Sequence, residues 1–509
     1  MSTTVSGSKI EALKNIFWPV ETFENKKVIP MALMMFFILF NYTILRDVKD
    51  AIIVTAPGSG AESLSFLKVY GTLPFAILMT AFYGKLSTLL RKQTLFYTTI
   101  TFMLTFFALF AFVFYPNKEF FNMSHETLVN LQSEFPRFRW LMPLFANWTF
   151  SLFYVFSEIW GTFALSVLFW TFANQTTKSS EAKRFYPLFG MIGNVGLMFS
   201  GGILKQFTTM NTHLSDDLRW VINLKWIVGA VIIAGIFIMY IYSWINKNVL
   251  TDSRLYDPSE KKIKKKKEKL TFWESMKVVF HSKYIGYIAI LVLGYGMAIN
   301  LVEITWKGQI KLQYTNPNDY TGFMGQFSMI VGAVTIFLMI VGNNILRRFS
   351  WFTGAIITPV MLLVTGVAFF TFVIFRDSLG GMMAAFSMTP VVLSIWLGLA
   401  QNVASKSTKY SLFDPTKEMA YIPLDENLKV RGKAAVDGVG GRLGKSGGAL
   451  IQQVLLISII GSTQITIAPY VSVIMAVIVM AWIFAVFGLN KEYKKLVEAK
   501  DKIAKDKKA

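Results

Sequence analysis

Five ionisable residues, Arg46, Lys68, Glu158, Glu303 and Lys445, stand inside long apolar runs of this chain. A charged group at a bilayer centre costs about 2.5–3.5 kcal/mol on insertion scales, so such residues face a shared wet cavity rather than lipid. Polar residues around them recur at helical spacing, which gathers them on single faces. Tyr42, Arg46 and Lys49 stack in one run, and Ser65, Lys68 and Thr72 in the next. Asn147, Ser151, Tyr154, Glu158 and Thr162 form a longer stripe; Gly296, Asn300, Glu303 and Lys307 form another, as do Arg442, Lys445 and Gln452. Cations outnumber anions on these faces, so the cargo they favour is an anion bearing several charges. Phosphates suit them best, with lysine as point charge and arginine as bidentate fork. Glu158 and Glu303 would then hold lysines in place in the empty site, or accept hydrogen bonds from a sugar or base. Interhelical pairing, Lys68 with Glu158 and Glu303 with Lys445, is the competing structural explanation. For Arg46, Lys49 and Lys307, near the ends of their runs, the competitor is snorkelling to the interface.

The elements that must position these residues are membrane helices. The 509 residues are 54% hydrophobic, 15% aromatic and only 16% charged, beyond the range of a soluble globular chain. The apolar runs are long enough to cross a hydrocarbon core of about 30 Å as helix, which excludes the short alternating segments of a β-barrel. Twelve spans are expected, near 30–53, 63–84, 93–115, 140–174, 185–207, 220–246, 283–310, 322–346, 351–375, 383–404, 434–460 and 464–488. The fourth is unusually long and is open to a second reading, as two spans or a re-entrant break.

Charge placement tests the count. Connections after even-numbered spans carry Lys85, Arg91, Lys92, Lys178, Lys183, Arg184, a long basic run, Arg347, Arg348, Lys406, Lys409, Lys417, Lys429, Arg431 and Lys433. Those after odd-numbered spans carry chiefly Lys118, Arg137, Arg139, Lys205, Arg219, Lys311 and Arg376. The positive-inside rule therefore puts both termini in the cytoplasm, as an even count requires. The net charge of +21 lies mostly in three solvated places: Lys14, Lys26 and Lys27 at the start, the run KKIKKKKEK at 261–269 and the tail from Lys491 to Lys508. Topology and attraction to anionic lipid explain these runs, and no nucleic-acid recognition module accompanies them. The first 27 residues are expected to carry neither a cleaved signal peptide nor a plastid transit peptide.

The basic loop at 247–277 divides the chain into two halves built to one plan, 28–246 and 278–490. NQTTKSS (174–180) in the first half answers NVASKST (402–408) in the second, and Gly190, Gly193 and Gly196 answer Gly441, Gly444 and Gly447. Asn41 ahead of Arg46 and Lys49 answers Asn300 ahead of Glu303 and Lys307. Such a parallel duplication predicts an all-α polytopic membrane protein of two six-helix bundles with a midplane site, like the major facilitator superfamily. The second half has a longer insertion at 407–432, expected to form a surface helix or gate. Glycines at every third place point first to close helix packing. Lys445, and Asn194 at the matching place, are not explained by packing.

Catalysis is not indicated. GGRLGKSGG resembles a P-loop, but that motif needs glycine where Val439 stands, and no strand precedes it. The chain has no cysteine, and His125, His213 and His281 fall outside the polar stripes and outside any metal-ligand spacing, so no cofactor or metal is expected.

Four stretches carry a family resemblance: NYTILRDVKDAIIVTAPGSGAESLSFLK (41–68), SEIWGTFALSVLFWTFANQTTKSSEAKRFYPLFGMIGNVG (157–196), KYSLFDPTKEMAYIPLD (409–425) and KAAVDGVGGRLGKSGG (433–448). They resemble the ATP/ADP translocases of obligate intracellular bacteria and plastids, the chlamydial members in particular. The resemblance implies exchange of external ATP for internal ADP, with inorganic phosphate accompanying ADP. It also implies that Lys68, Glu158, Glu303 and Lys445 match two lysines and two glutamates required for transport. Arg46 joins them as a phosphate ligand, with Asn300, Tyr154, Asn194, Lys49, Lys307 and Arg442 as secondary candidates. A monomer in a bacterial inner membrane is expected. A proton-coupled nucleotide importer of broader base range, with Glu158 or Glu303 carrying the proton, is the alternative.

Overall fold

The computed structural model describes residues 18–256, 279, 281–384, 388–433, 435–436 and 440–506. Most of the expected basic linker (247–277), the start of the N-terminal segment and the end of the basic tail lie outside them. Within them the chain is helical and no strand occurs. Twelve long helices follow the expected order: α1 (Asn25–Thr55), α2 (Ala61–Leu89), α3 (Lys92–Phe114), α4 (Trp148–Thr176), α5 (Ser179–Thr208) and α6 (Asp216–Asn248) form the first bundle. The second holds α7 (Lys283–Gln313), α8 (Pro317–Arg348), α9 (Trp351–Ile374), α10 (Pro390–Thr408), α11 (Gly441–Ser458) and α12 (Ala468–Asp506).

Among the described residues, ten of these helices are long and apolar enough, by length and composition, to cross a membrane. The other two, α10 and α11, are also the shortest, at 19 and 18 residues. They carry Gln401, Asn402 and Lys406, and Lys445, Gln452 and Gln453, which lower their hydropathy. Their polar residues are taken up between neighbours: Gln401, Asn402 and Gln452 are fully buried.

Two boundaries differ from expectation. The fourth span is single but starts late: a short helix at Met142–Ala146 ends at Asn147, whose φ of −105° and ψ of 50° leave helical geometry, and α4 proper begins at Trp148. The tenth span starts at Pro390, a proline well suited to a first helical turn, and runs to Thr408. Lys406 therefore sits inside a helix rather than in a connection.

The connections sort onto two faces. On the face where α1 begins, Arg184 grips Glu24 through both nitrogens at 2.8 and 2.6 Å, and buried Lys27 donates to Glu181 (2.7 Å) and to the Leu255 carbonyl (2.9 Å). On the opposite, far face, bonds join the two halves. Trp140 Nε1 donates to the Ser462 carbonyl at 2.8 Å, the Gln464 amide donates to Glu62 at 2.8 Å, Asn223 meets Asn318 at 2.9 Å, and Lys311 meets the Ser59 carbonyl. The halves are thus latched along the far face.

Residues 407–433 pack on the second bundle. The short helix Asp414–Tyr421 buries Ala420 and Tyr421, and its backbone carbonyls take Tyr284 Oη (2.6 Å, at Ala420) and Trp351 Nε1 (2.9 Å, at Thr416). A second short helix follows at Glu426–Lys433.

Candidate functional site

The site is built mainly from α1, α4, α7 and α10, with α2 and α11 beside them. The last turns of α1 carry RDVKD (46–50), and Asp47, Lys49 and Asp50 are all buried at 2% exposure or less. So apolar a helix can hold such charges only if each meets an opposite one. Lys49 Nζ lies 2.8 Å from Asp50 Oδ1 and 2.8 Å from Glu158 Oε1 on α4. Lys307 Nζ on α7 lies 2.8 Å from Asp50 Oδ2 and 3.2 Å from Glu303 Oε1, one turn away on its own helix. Glu303 in turn takes Lys406 Nζ of α10 at 3.2 Å. The result is an alternating ladder, Glu158, Lys49, Asp50, Lys307, Glu303, Lys406, with three charges of each sign. Two of its three lysines also lie on aromatic faces: Lys49 Nζ is 3.8 Å from the centre of the Tyr154 ring and Lys406 Nζ is 4.8 Å from that of Phe327.

Arg46 is held beside the ladder. Its Nε donates to Asp47 Oδ1 at 3.0 Å and its Nη2 to Ser328 Oγ on α8 at 2.8 Å, while Ser328 Oγ donates to Asp47 Oδ2 at 2.5 Å. This three-membered ring is a second tie between the halves.

Lys68 and Lys445 differ from every other cation of the site. Among the described residues neither has an ion-pair or hydrogen-bond partner. Lys68 is half-buried, within electrostatic reach of Glu158, Glu303, Lys49 and Lys307; Lys445 is exposed, within reach of Glu158 and Tyr42. Both therefore address the interior of the helix assembly, one from each half. The pairing expected as the structural explanation does not occur. Glu158 takes Lys49, because α1 packs against α4, and Glu303 takes Lys307 and Lys406, which are nearer. The ladder and the Arg46–Asp47 pair are each neutral, so among the described side chains of the site the two lysines leave a surplus of two positive charges.

The secondary candidates are packed in this conformation. Tyr154 is fully buried beneath Lys49, and Asn300, 4% exposed, has its Cβ 2.9 Å from the Cβ position at Gly448. Asn194 donates to the Gly190 carbonyl at 2.9 Å. The Arg442 side chain lies outside what the structure describes. His125 opens a short helix between α3 and α4, and His213 and His281 sit in connections. Among the described residues no cluster of three metal-ligating side chains occurs.

Asp47, Asp50, Lys406 and Ser328 were not singled out in the sequence. The signal for the two aspartates was present, since RDVKD places four charges in one apolar run. Lys406 was counted with the loop charges because the end of its span was set a turn too early.

Three of these helices widen to π-helical turns at the site. Lys68 lies in one at Leu67–Thr72, another begins at Gly161 just after Glu158, and a third, Lys409–Phe413, follows Lys406. Such insertions in membrane helices recur at functional positions.

Twelve helices in two halves, with a ladder of paired charges buried between them and two unpaired lysines beside it, have the build of a membrane transporter. Solved structures of similar shape include a bacterial homologue of the iron transporter ferroportin in an inward-facing state (TM-score 0.57, 12% identity, covering 92% of this chain and 99% of that one). The nucleoside transporter NupG (0.55, 11%, covering 91% and 99%) and a D-xylose-proton symporter (0.52, 12%, covering 91% and 96%) are others. These carry the fold, which is of the expected major facilitator type. The chain belongs to the TLC ATP/ADP transporter family, which it matches over residues 3–493. It is 46% identical to ADP,ATP carrier protein 1 of Rickettsia prowazekii (strain Madrid E), over 99% of this chain and 100% of that one. It is 49% identical to ADP,ATP carrier protein 1 of Chlamydia pneumoniae (94% and 93%) and 45% identical to the chloroplastic ADP,ATP carrier protein 1 of Arabidopsis thaliana (94% and 75%).

Proposed function

We propose that the chain is an ATP/ADP antiporter that brings in external ATP against internal ADP, with phosphate leaving beside ADP. The carrier names of its relatives support the two nucleotides, and the two unpaired lysines, one in each half, support a polyphosphate cargo. Lys68 and Lys445 would hold the phosphates from opposite sides, so that cargo draws the halves together. Arg46 would join them once the halves part at the far face and Ser328 withdraws. Glu158 and Glu303 would set the positions of Lys49, Lys307 and Lys406, and accept hydrogen bonds from the ribose hydroxyls.

The latched far face supports alternating access by rocking of the bundles 28–246 and 278–490, linked through 247–277, with this conformation open toward the termini. The termini are placed in the cytoplasm of a bacterial inner membrane, and the carrier is taken to act as a monomer. The empty site bears two uncompensated ammonium groups, whose repulsion opposes closure until an anion arrives. Exchange is therefore obligatory. ATP with four charges inward against ADP with three outward moves one negative charge against an interior-negative potential, at about 2.3 kcal/mol per 100 mV. A phosphate monoanion leaving with ADP cancels that cost. Both site carboxylates are salt-bridged, which works against either as a proton carrier.

Labelled ATP uptake into proteoliposomes loaded with ADP, with and without internal phosphate, tests this reading. Uptake that needs internal ADP supports it. Uptake driven by a pH gradient into empty vesicles, or unimpaired uptake by Lys68→Glu, would overturn it.

A further inference from the structure

The ladder divides at one bond. Its members on α1 and α4, Glu158, Lys49 and Asp50, sum to one negative charge; those on α7 and α10, Lys307, Glu303 and Lys406, sum to one positive charge. Asp50 Oδ2 and Lys307 Nζ, 2.8 Å apart and each side chain no more than 3% exposed, join the two triads across the interface of the halves. Each triad is otherwise complete within its own half. Movement of one half against the other at the far face must break this bond and leave the remaining four contacts intact.

Resting on the antiport reading above, we propose that the Asp50–Lys307 bond is a charge switch that makes nucleotide selection depend on which face is open. Joined, as here, the bond sequesters the Lys307 ammonium, and cargo arriving from the terminal face meets the free ammonium groups of Lys68 and Lys445 alone. Parted, the α7–α10 triad presents its surplus positive charge at Lys307 on the same half as Lys445. The total charge of the site does not change. It is redistributed, with a cationic wall on the second half and a carboxylate-rich wall of Asp50 and Glu158 on the first. A triphosphate gains a contact for its third phosphate on the cationic wall, and ribose hydroxyls find acceptors opposite. A diphosphate gains less from the extra cation. The far-open state thus favours the nucleotide with one phosphate more, and the state seen here favours the one with fewer. Because a ligand shifts a two-state carrier only by its differential affinity, this difference sets unequal KM values for ATP and ADP at the two faces, while the direction of net exchange stays with the gradients.

Right-side-out and inside-out membrane vesicles separate the two faces, and competition between ATP and ADP for labelled nucleotide exchange reads the preference at each. Asp50→Asn frees Lys307 in both states, so the preference for ADP at the terminal face should fall by about tenfold, the effect of one modest charge contact. Lys307→Gln should raise the KM for ATP at the far face by about tenfold while changing that for ADP much less. The double variant Asp50→Asn/Lys307→Gln strands neither charge and keeps the test readable if Asp50→Asn does not fold; its two faces should then show the same ATP-to-ADP preference. Equal preference at both faces in the wild type, or unchanged ratios in the variants, would overturn the switch while leaving nucleotide exchange intact. Absence of any wild-type exchange would instead overturn the antiport reading itself.

Discussion

Gly296 of α7 and Gly444 of α11 meet backbone to backbone: a Cβ built on Gly296 would lie 2.9 Å from the Gly444 Cα, and one on Gly444 would lie 3.2 Å from the Gly296 Cα. Lys445 follows directly, so this contact sets how far the unpaired lysine projects. Gly441→Ala meets nothing within 4 Å and should be silent. Gly444→Val should cost about 1–3 kcal/mol through overpacking and displace Lys445. Thermal unfolding in detergent, read beside nucleotide uptake, distinguishes the two variants.

Lysines in and out of the ladder should behave oppositely on substitution. Lys49→Gln leaves the buried Asp50 carboxylate with Lys307 alone and takes the cation from the half-buried Glu158, and should destabilise the protein by up to about 3 kcal/mol. Lys68→Gln removes a cation that no carboxylate depends on. Its unfolding temperature should stay near wild type while nucleotide exchange is lost. A Lys68→Gln protein that exchanges normally would refute its assignment as a cargo ligand.

Because the chain has no cysteine, a disulfide can be introduced without competitors. The Cβ position at Gly308 on α7 is 3.7 Å from the Ala61 Cβ on α2, within the range for a disulfide. Ala61→Cys/Gly308→Cys should cross-link on oxidation, hold the far face shut and stop exchange. Reduction should restore it. Continued exchange by fully cross-linked protein would show that the far face need not open.

On the terminal face, Lys27 is 1% exposed and bonds both Glu181 and the Leu255 carbonyl. Lys27→Met should destabilise the first bundle by about 3–5 kcal/mol, since it leaves Glu181 buried without its cation. Pairing it with Glu181→Gln should recover much of the loss, measurable as a coupling in a double-mutant cycle.

Hydropathy and loop charge were enough to read twelve helices, because insertion into lipid is a property of each segment alone. The residues Lys68, Glu158, Glu303 and Lys445 were legible for the same reason: a charge in an apolar run is conspicuous. Partner choice was not. Helical spacing assigns a residue to a face of its own helix, whereas the partner of Glu158 depends on α1 packing against α4. Asp50 remained hidden behind its own neighbours in RDVKD, where it reads as local compensation for Arg46 and Lys49. The break at Asn147 and the late start at Pro390 are boundary effects, set by backbone angles that polarity profiles do not register.

The wide turns at Lys68, after Glu158 and after Lys406 have a mechanical consequence. A π turn accommodates one residue more than an α turn, so moving it by one position along the helix swings the intervening side chain through about 100° without unwinding either flank. Lys68 sits within such a turn, and its ammonium could re-aim by a local change of winding while the rest of α2 stays seated against α11. Fine adjustment of the grip would then be separable from the large rocking of the bundles, with its own, faster clock.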